Sequence, residues 1–291
     1  MKIGRIIKLV GGIYTVQDET KKKYALKPLG VFRHRNISPK VGDIVDFDND
    51  NITNVHERLN ELYRPMIANV DQVLIITSAK HPNFSFLLLD KFLAMVEAFS
   101  ITPVIIVSKI DLMTEKELIE LKSQLSYYAK YFRVIYYSSK TGEGLDEILE
   151  STTDKVNVLA GQTGAGKSSL LNAINPELDL ETDEISMALG RGKHTTRHVE
   201  IFEFGHGYIA DTPGFSKLEF LDFKAGDLRF YYPDFFEKST ECKFYECTHT
   251  HEPGCEVKRQ VGIGEIPKIR YENYLDIFKE IEAIKPKYRR E

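Results

Sequence analysis

Eight residues, Gly161-Gln162-Thr163-Gly164-Ala165-Gly166-Lys167-Ser168, fit the pattern G-x-x-x-x-G-K-[ST]. At that spacing Gly161 and Gly166 let backbone amides turn inward around phosphate oxygens, Lys167 meets the terminal phosphates, and Ser168 offers a hydroxyl to magnesium. Both flanks agree. Residues 155–160 read as a buried strand, and Ser169 opens a helix over residues 169–174 whose amino end favours an anion. A glycine-rich turn with a chance Gly-Lys-Ser is the bland alternative, and it requires neither flank.

Two further pieces lie downstream. Tyr208-Ile209-Ala210-Asp211-Thr212-Pro213-Gly214 is a short apolar strand ending on Asp211, where a carboxylate linked to magnesium and a Gly214 amide for the outermost phosphate are expected. Between it and the phosphate loop stands Gly190-Arg191-Gly192-Lys193-His194-Thr195-Thr196-Arg197, flexible at its glycines, with Thr195 or Thr196 able to reach the same magnesium. Alone it would be a basic surface loop; its position makes it a first switch loop. The strand over residues 103–107, upstream, delivers Ser108-Lys109-Ile110-Asp111 to its carboxyl end, where open α/β sheets bind ligands. Asp111 can accept hydrogen bonds from guanine N1 and N2, donors that adenine lacks, and Lys109 can lie along the base. That selects GTP over ATP. A helix over residues 115–129 and a strand over 132–137 lead to Ser138-Ser139-Lys140, a turn able to close over the base.

The order is therefore base, base, phosphate, switch, switch. An ordinary guanine-nucleotide switch begins with its phosphate loop and reads the base near its end, so the pattern predicts a circularly permuted P-loop GTPase. Permutation requires the original termini to lie close together, and the short polar stretch 151–154 is the expected link.

The region that follows the second switch holds all three cysteines, as Cys242-x4-Cys247-x-His249-x5-Cys255. Three thiolates and an imidazole make a closed tetrahedral zinc site with no open position for hydrolysis. His249 and His251 compete for the fourth position, and spacing does not choose between them. No secretion signal is seen, which argues against a disulfide. Tyr274, Ile277, Phe278 and Ile281 share one face of a final helix, expected to pack on the zinc region. The basic stretch 285–290 could touch nucleic acid.

Stretches of alternating hydrophobicity at residues 13–16, 23–26, 43–47 and 51–55, separated by Gly and Asn turns, predict a small five-stranded antiparallel barrel at the amino end. Formal charge divides with the domains: +4 for residues 1–65, −7 for 66–220 and −1 for 221–291, within a total of −4. A basic barrel on an acidic switch domain points to RNA or DNA phosphate at the barrel, with a merely solvated basic face as the alternative. The expected class is multidomain α/β: barrel at 1–65, permuted GTPase domain at 66–220, zinc-binding helical module at 221–291. At 291 residues, 42% of them hydrophobic, the chain can bury one main core and two satellites. No run of about 18 apolar residues occurs, so no membrane span is expected. A cytoplasmic monomer carrying one zinc ion, with magnesium accompanying GTP, is the resulting expectation.

Permuted order, Gly190–Arg197, Asp211-Thr212-Pro213-Gly214-Phe215 and the run from Cys242 to Cys255 together resemble the bacterial family of ribosome small-subunit-dependent GTPases A (RsgA), over essentially the whole chain. The resemblance implies an OB-fold that contacts ribosomal RNA, late small-subunit assembly with GTP hydrolysis stimulated by that subunit, and a zinc module that helps docking. It also implies His249 rather than His251 as fourth zinc ligand. One position departs from the pattern: Ser108 stands where the base-reading motif usually begins with Asn, which braces the phosphate loop and the base edge, so weaker nucleotide affinity is expected. Catalysis turns on Phe215. Many GTPases place a water-orienting glutamine there, and phenylalanine can neither donate nor accept. His194, on the first switch loop, is the candidate to orient water, which the resemblance supports; a surface or RNA-contacting histidine is the alternative. A nucleotide-timed RNA chaperone, or a GTPase acting on tRNA or a membrane-associated complex, are the other functional classes these residues admit.

Overall fold

The computed structural model describes residues 2–34, 37–63, 66–175, 200–211, 220 and 223–284. Strands β1 (Lys2–Val10), β2 (Ile13–Asp18), β3 (Lys23–Pro28), β4 (Ile44–Phe47) and β5 (Asn51–Val55) run in the order β1-β2-β3-β5-β4, and β4 pairs back onto β1. That closure removes both sheet edges. Alternation supplies the interior, since Ile6, Val16, Leu26, Val45, Phe47 and Ile52 all point inward and are buried. Gly4 is required on β1: a Cβ there would sit 2.6 Å from the Gln17 carbonyl oxygen of the paired strand. The barrel is the small OB-like one expected, except that β3 and β5 pair parallel where an all-antiparallel barrel was expected, and β1 itself left no alternating signal. A short helix α1 (Val31–His34) lies between β3 and β4, and a hairpin of β6 (Glu61–Tyr63) and β7 (Met66–Ala68) follows.

Five parallel strands form the centre of the molecule: β8 (Gln72–Ser78), β9 (Thr102–Ser108), β10 (Arg133–Tyr136), β11 (Val156–Ala160) and β13 (Gly207–Asp211), in the order β10-β9-β8-β11-β13, with antiparallel β12 (Glu200–Phe204) beyond β13. Helices cover both faces. Val73, Ile75, Ile105 and Val107 face α2 (Phe86–Ala98) and α3 (Glu115–Leu125); Leu74, Ile76, Val104 and Ile106 face α4 (Leu145–Thr152) and α5 (Lys167–Ile174). Beyond β12 the sheet continues into β1 through the pair Lys8 and Glu200, whose side chains also form an ion pair at 2.7 Å.

The link between α4 and β11 is shorter than the sequence suggested. Ser151 and Thr152 belong to the last turn of α4, buried, because their hydroxyls donate to the Ile148 and Leu149 carbonyls at 2.8 and 2.9 Å. Only residues 153–155 make the turn. Likewise α3 stops at Leu125, and Tyr127 and Tyr128 turn inward instead of continuing the helix to residue 129.

The carboxyl-terminal region comprises a 3-10 turn (Ala225–Phe230) and helices α6 (Pro233–Ser239), α7 (Glu256–Gly262) and α8 (Lys268–Ala283). Tyr274, Ile277 and Ile281 are buried on one face of α8, as the spacing predicted, but α8 docks on α2 as well as on the cysteine region. Arg270 of α8 is 1% exposed. Its guanidinium donates to Asp234 of α6 at 2.9 and 3.1 Å and pairs with Asp90 of α2, while Tyr128 and Asn273 also donate to Asp90 and Tyr127 to Asp234. Burial alone disfavours a charge there; Asp234 and Asp90 more than offset this and hold Arg270 charged. Among described residues no helix is long and apolar enough to cross a membrane.

Truncating one member of such a buried cluster leaves uncompensated charge, at a cost of about 3–5 kcal/mol. Arg270→Ala is therefore expected to lower the urea midpoint of the carboxyl-terminal region sharply. Tyrosine fluorescence can follow it, since the chain has 15 tyrosines and no tryptophan.

Candidate active site and candidate metal centre

Because β8, β9, β10 and β11 are parallel and adjacent, their carboxyl ends bring residues far apart in sequence to one edge. Gly161 leaves β11 at φ 137°, and a Cβ there would lie 2.2 Å from the Ile76 carbonyl oxygen, so only glycine starts this loop. Gly164 and Gly166 also take positive φ, 77° and 97°, which turns successive amides to one side. Ala165 is buried beneath the loop, Thr163 is exposed above it, and Gln162 is intermediate. The Lys167 ammonium donates to the Gly161 and Gln162 carbonyls, 2.8 Å each, and so lies across the loop. Ser168, buried, and Ser169 occupy the first turn of α5, where amides without helical partners favour an anion.

The carboxyl end of β9 meets this loop directly. Ser108 Oγ donates to the Ala165 carbonyl at 2.5 Å, and Lys109 Nζ to the Gly164 carbonyl at 2.6 Å and to that of His81. Ser108 therefore holds this loop, because loop and strand stand close enough for a hydroxyl to span the gap. Lys109 adopts left-handed φ, 59°, and the turn it makes over Ile110 places Asp111 at the surface. There Asp111 Oδ1 accepts from Ser138 Oγ at 2.7 Å. Ser138 is fully buried and also accepts from the Lys140 and Thr141 amides at 3.2 Å, so one hydroxyl both shapes the turn and orients the carboxylate; Ser139 and Lys140 are exposed beside it. Asp211 ends β13 one residue beyond Ala210, which pairs with Val158, at the same edge as the phosphate loop. His194, Thr195, Thr196, Gly214 and Phe215 lie outside the described residues.

One participant left no motif. The turn after β8 places Pro82 3.6 Å from where a Gly164 Cβ would be, and supplies the His81 carbonyl to Lys109. Ala79 N donates to the Ser108 carbonyl at 2.9 Å, tying this turn to β9. Only the three-dimensional adjacency of β8 and β9 identifies it.

Cys242, Cys247, His249 and Cys255 come together with all ligand atoms within 4.8 Å of one another. His249 Nδ1 is 3.7 Å from Cys242 Sγ and 3.4 Å from Cys255 Sγ, and those sulfurs are 4.0 Å apart. A tetrahedron with zinc's bond lengths has edges of roughly 3.6 Å between nitrogen and sulfur and 3.8 Å between sulfurs, so the cage fits. His251 instead is exposed, its ring against the Thr250 hydroxyl at 3.0 Å. His249 holds left-handed φ, 60°, in a turn tied by Glu252 to the Thr248 and Thr250 amides and by the Tyr271 hydroxyl to the His249 carbonyl. Burial pushes the Cys247 thiol up to about 12 and the His249 imidazole down to about 4. A divalent cation reverses the first preference and is served by the second, since it binds thiolate and neutral imidazole.

An RsgA GTPase family model matches residues 55–221 and an RsgA N-terminal domain model residues 3–54. The chain belongs to the RsgA GTPase family. It is 49% identical to the small ribosomal subunit biogenesis GTPase RsgA of Halalkalibacterium halodurans, covering 97% of this chain and 98% of that one. Its fold is similar to the crystal structures of YjeQ from Thermotoga maritima (TM-score 0.86, 36% identity, 98% and 99% of the two chains) and of YloQ, a circularly permuted GTPase (0.84, 40%, 99% and 97%). In this chain residues 108–111 precede residues 161–168 in sequence and meet them at one sheet edge.

Metal content gives a direct check on the cage. Elemental analysis of the parent is expected to find one equivalent of tightly held divalent metal, and Cys247→Ser is expected to lose it and to loosen residues from about 221 onward in hydrogen exchange, while GTP binding persists.

Proposed function

We propose that this chain binds the small ribosomal subunit late in its maturation and, when the subunit orders its switch loop, hydrolyses GTP to GDP and phosphate. That it is a GTP hydrolase of the RsgA family follows from the family match. The function named for the relatives, small ribosomal subunit biogenesis, supports the ribosomal part, and the contact of Ser108 and Lys109 with Ala165 and Gly164 supports a single nucleotide site at one sheet edge. Asp111 and the Ser138–Lys140 turn would hold guanine, and residues 161–169 the phosphates. Ser168, Thr195 or Thr196 and, at longer range, Asp211 would hold magnesium, which supplies charge screening for the phosphates. Gly214 would meet the outermost phosphate, and His194 would orient the attacking water, since Phe215 offers no polar atom.

The same reading divides the chain into a barrel at 1–65, a GTPase domain at 66–220 and a zinc module at 221–291. The barrel's charge of +4 supports ribosomal RNA as its partner. Zinc is the ion that best suits three thiolates and an imidazole with no open position. A monomer acting in the cytoplasm is the corresponding assembly and location.

Steady-state hydrolysis with and without purified small subunits is the deciding experiment. Strong stimulation by the subunit is expected; stimulation by tRNA or lipid vesicles instead would overturn the ribosomal reading. Under saturating subunit, His194→Ala is expected to reduce single-turnover hydrolysis about 10²- to 10⁴-fold while GTP affinity and subunit binding stay near parental. A parental rate would move the water-positioning role elsewhere. Asp111→Asn should weaken GTP binding about tenfold or more and shift preference toward xanthine nucleotides, because one acceptor oxygen becomes a donor; titration calorimetry with both nucleotides reads this.

A further inference from the structure

We propose that Ser108 is a positioning residue that sets how deeply the phosphate loop seats against the base-reading strand, and that this chain binds nucleotide better with serine there than with the usual asparagine. The inference rests on the GTPase reading above.

Ser108 is 1% exposed, and its hydroxyl lies 2.5 Å from the Ala165 carbonyl and 3.4 Å from that of Thr77. A hydroxyl has one proton to give, and the shorter contact takes it. The backbone of Ser108 cannot retreat, because its carbonyl accepts from Ala79 N at 2.9 Å and β9 is paired along its length with β8. The loop cannot easily advance or withdraw either. A Cβ on Gly166 would already be 3.5 Å from Ser108 Oγ, and Gly164 is held by Lys109, whose ammonium is fixed at its other side on His81.

Asparagine in the same rotamer puts a carbon where the serine oxygen sits. That carbon would stand at hydrogen-bond distance from the Ala165 oxygen, against about 3.5 Å for ordinary non-bonded contact, so the loop would have to move out by about 1 Å. Such a shift draws Gly164 from Lys109 and redirects the amides that face the phosphates. Alanine makes the opposite error: the loop stays, but the Ala165 carbonyl loses its donor.

Competition against a fluorescent GDP analogue, run on the intact protein with GDP and with guanosine, tests this. Ser108→Ala is expected to weaken GDP about fivefold to tenfold, the loss of one buried hydrogen bond, and Ser108→Asn by at least about fivefold through displacement of the loop. Ser108→Thr, which keeps the hydroxyl, should remain within about twofold, and guanosine, which has no phosphate, should be bound alike by all four proteins. Asparagine binding GDP as well as serine or better overturns the proposal; so does alanine at parental affinity, threonine as weak as alanine, or guanosine lost in parallel with GDP. If the asparagine variant does not fold, alanine against threonine decides. A parent that fails to bind GDP at all would instead bring down the GTPase reading on which the proposal stands.

Discussion

A loop that turns its amides toward a ligand must turn its carbonyls away from it, and every buried carbonyl needs a donor. In this protein four carbonyls of the loop are met by three side chains: Lys167 takes Gly161 and Gln162, Lys109 takes Gly164, and Ser108 takes Ala165. Two of those donors, Ser108 and Lys109, come from the carboxyl end of β9. The loop after β11 and the end of β9 are thus one hydrogen-bonded unit, and the parallel pairing of β8 with both β9 and β11 holds it together.

Permutation changes which covalent connections surround that unit. In this chain order the phosphate-loop strand β11 comes last of the central trio yet lies between β8 and β13, so the turn at residues 153–155 must be brought to the amino edge of the sheet. Buried polar side chains fix it there. Gln72 donates to the Ser151 carbonyl and to Asn157, and Asn157 donates to the Lys155 and Tyr208 carbonyls. Amides inside a sheet are costly unless fully paired, and these are paired to the joint itself, which makes the new connection as rigid as the strands it joins.

The parts legible in the sequence are those whose chemistry is local. Gly161, Gly164 and Gly166 are demanded by backbone angles, Cys242 to Cys255 by the reach of a short loop, and the barrel strands after β1 by alternation over a few residues. His249 against His251 was not decidable by spacing; the turn that Glu252 ties, which aims one ring inward and leaves the other exposed, separates them. The effect of Ser108 could not be read either, because it depends on a gap between two segments more than fifty residues apart. Arg270 is the clearest case. In the sequence it is one more basic residue at the start of an amphipathic helix, and its two carboxylate partners lie 36 and 180 positions away.

That cluster also changes what the permutation can transmit. The sequence places the second switch just before the carboxyl-terminal region, which suggests a direct covalent route from the phosphate end of the site to the metal centre. The fold adds a second route. α2 begins directly after the turn whose His81 carbonyl holds Lys109, and its Asp90 holds Arg270 of α8, while α8 in turn caps the metal-site turn through Tyr271 and Tyr274. Every step of this route is a packed or hydrogen-bonded contact, with a buried ion pair at its centre that tolerates little displacement. The region that carries the cysteine and histidine cluster is therefore braced against the parallel sheet through α2 and α8, and not joined to it by the chain alone.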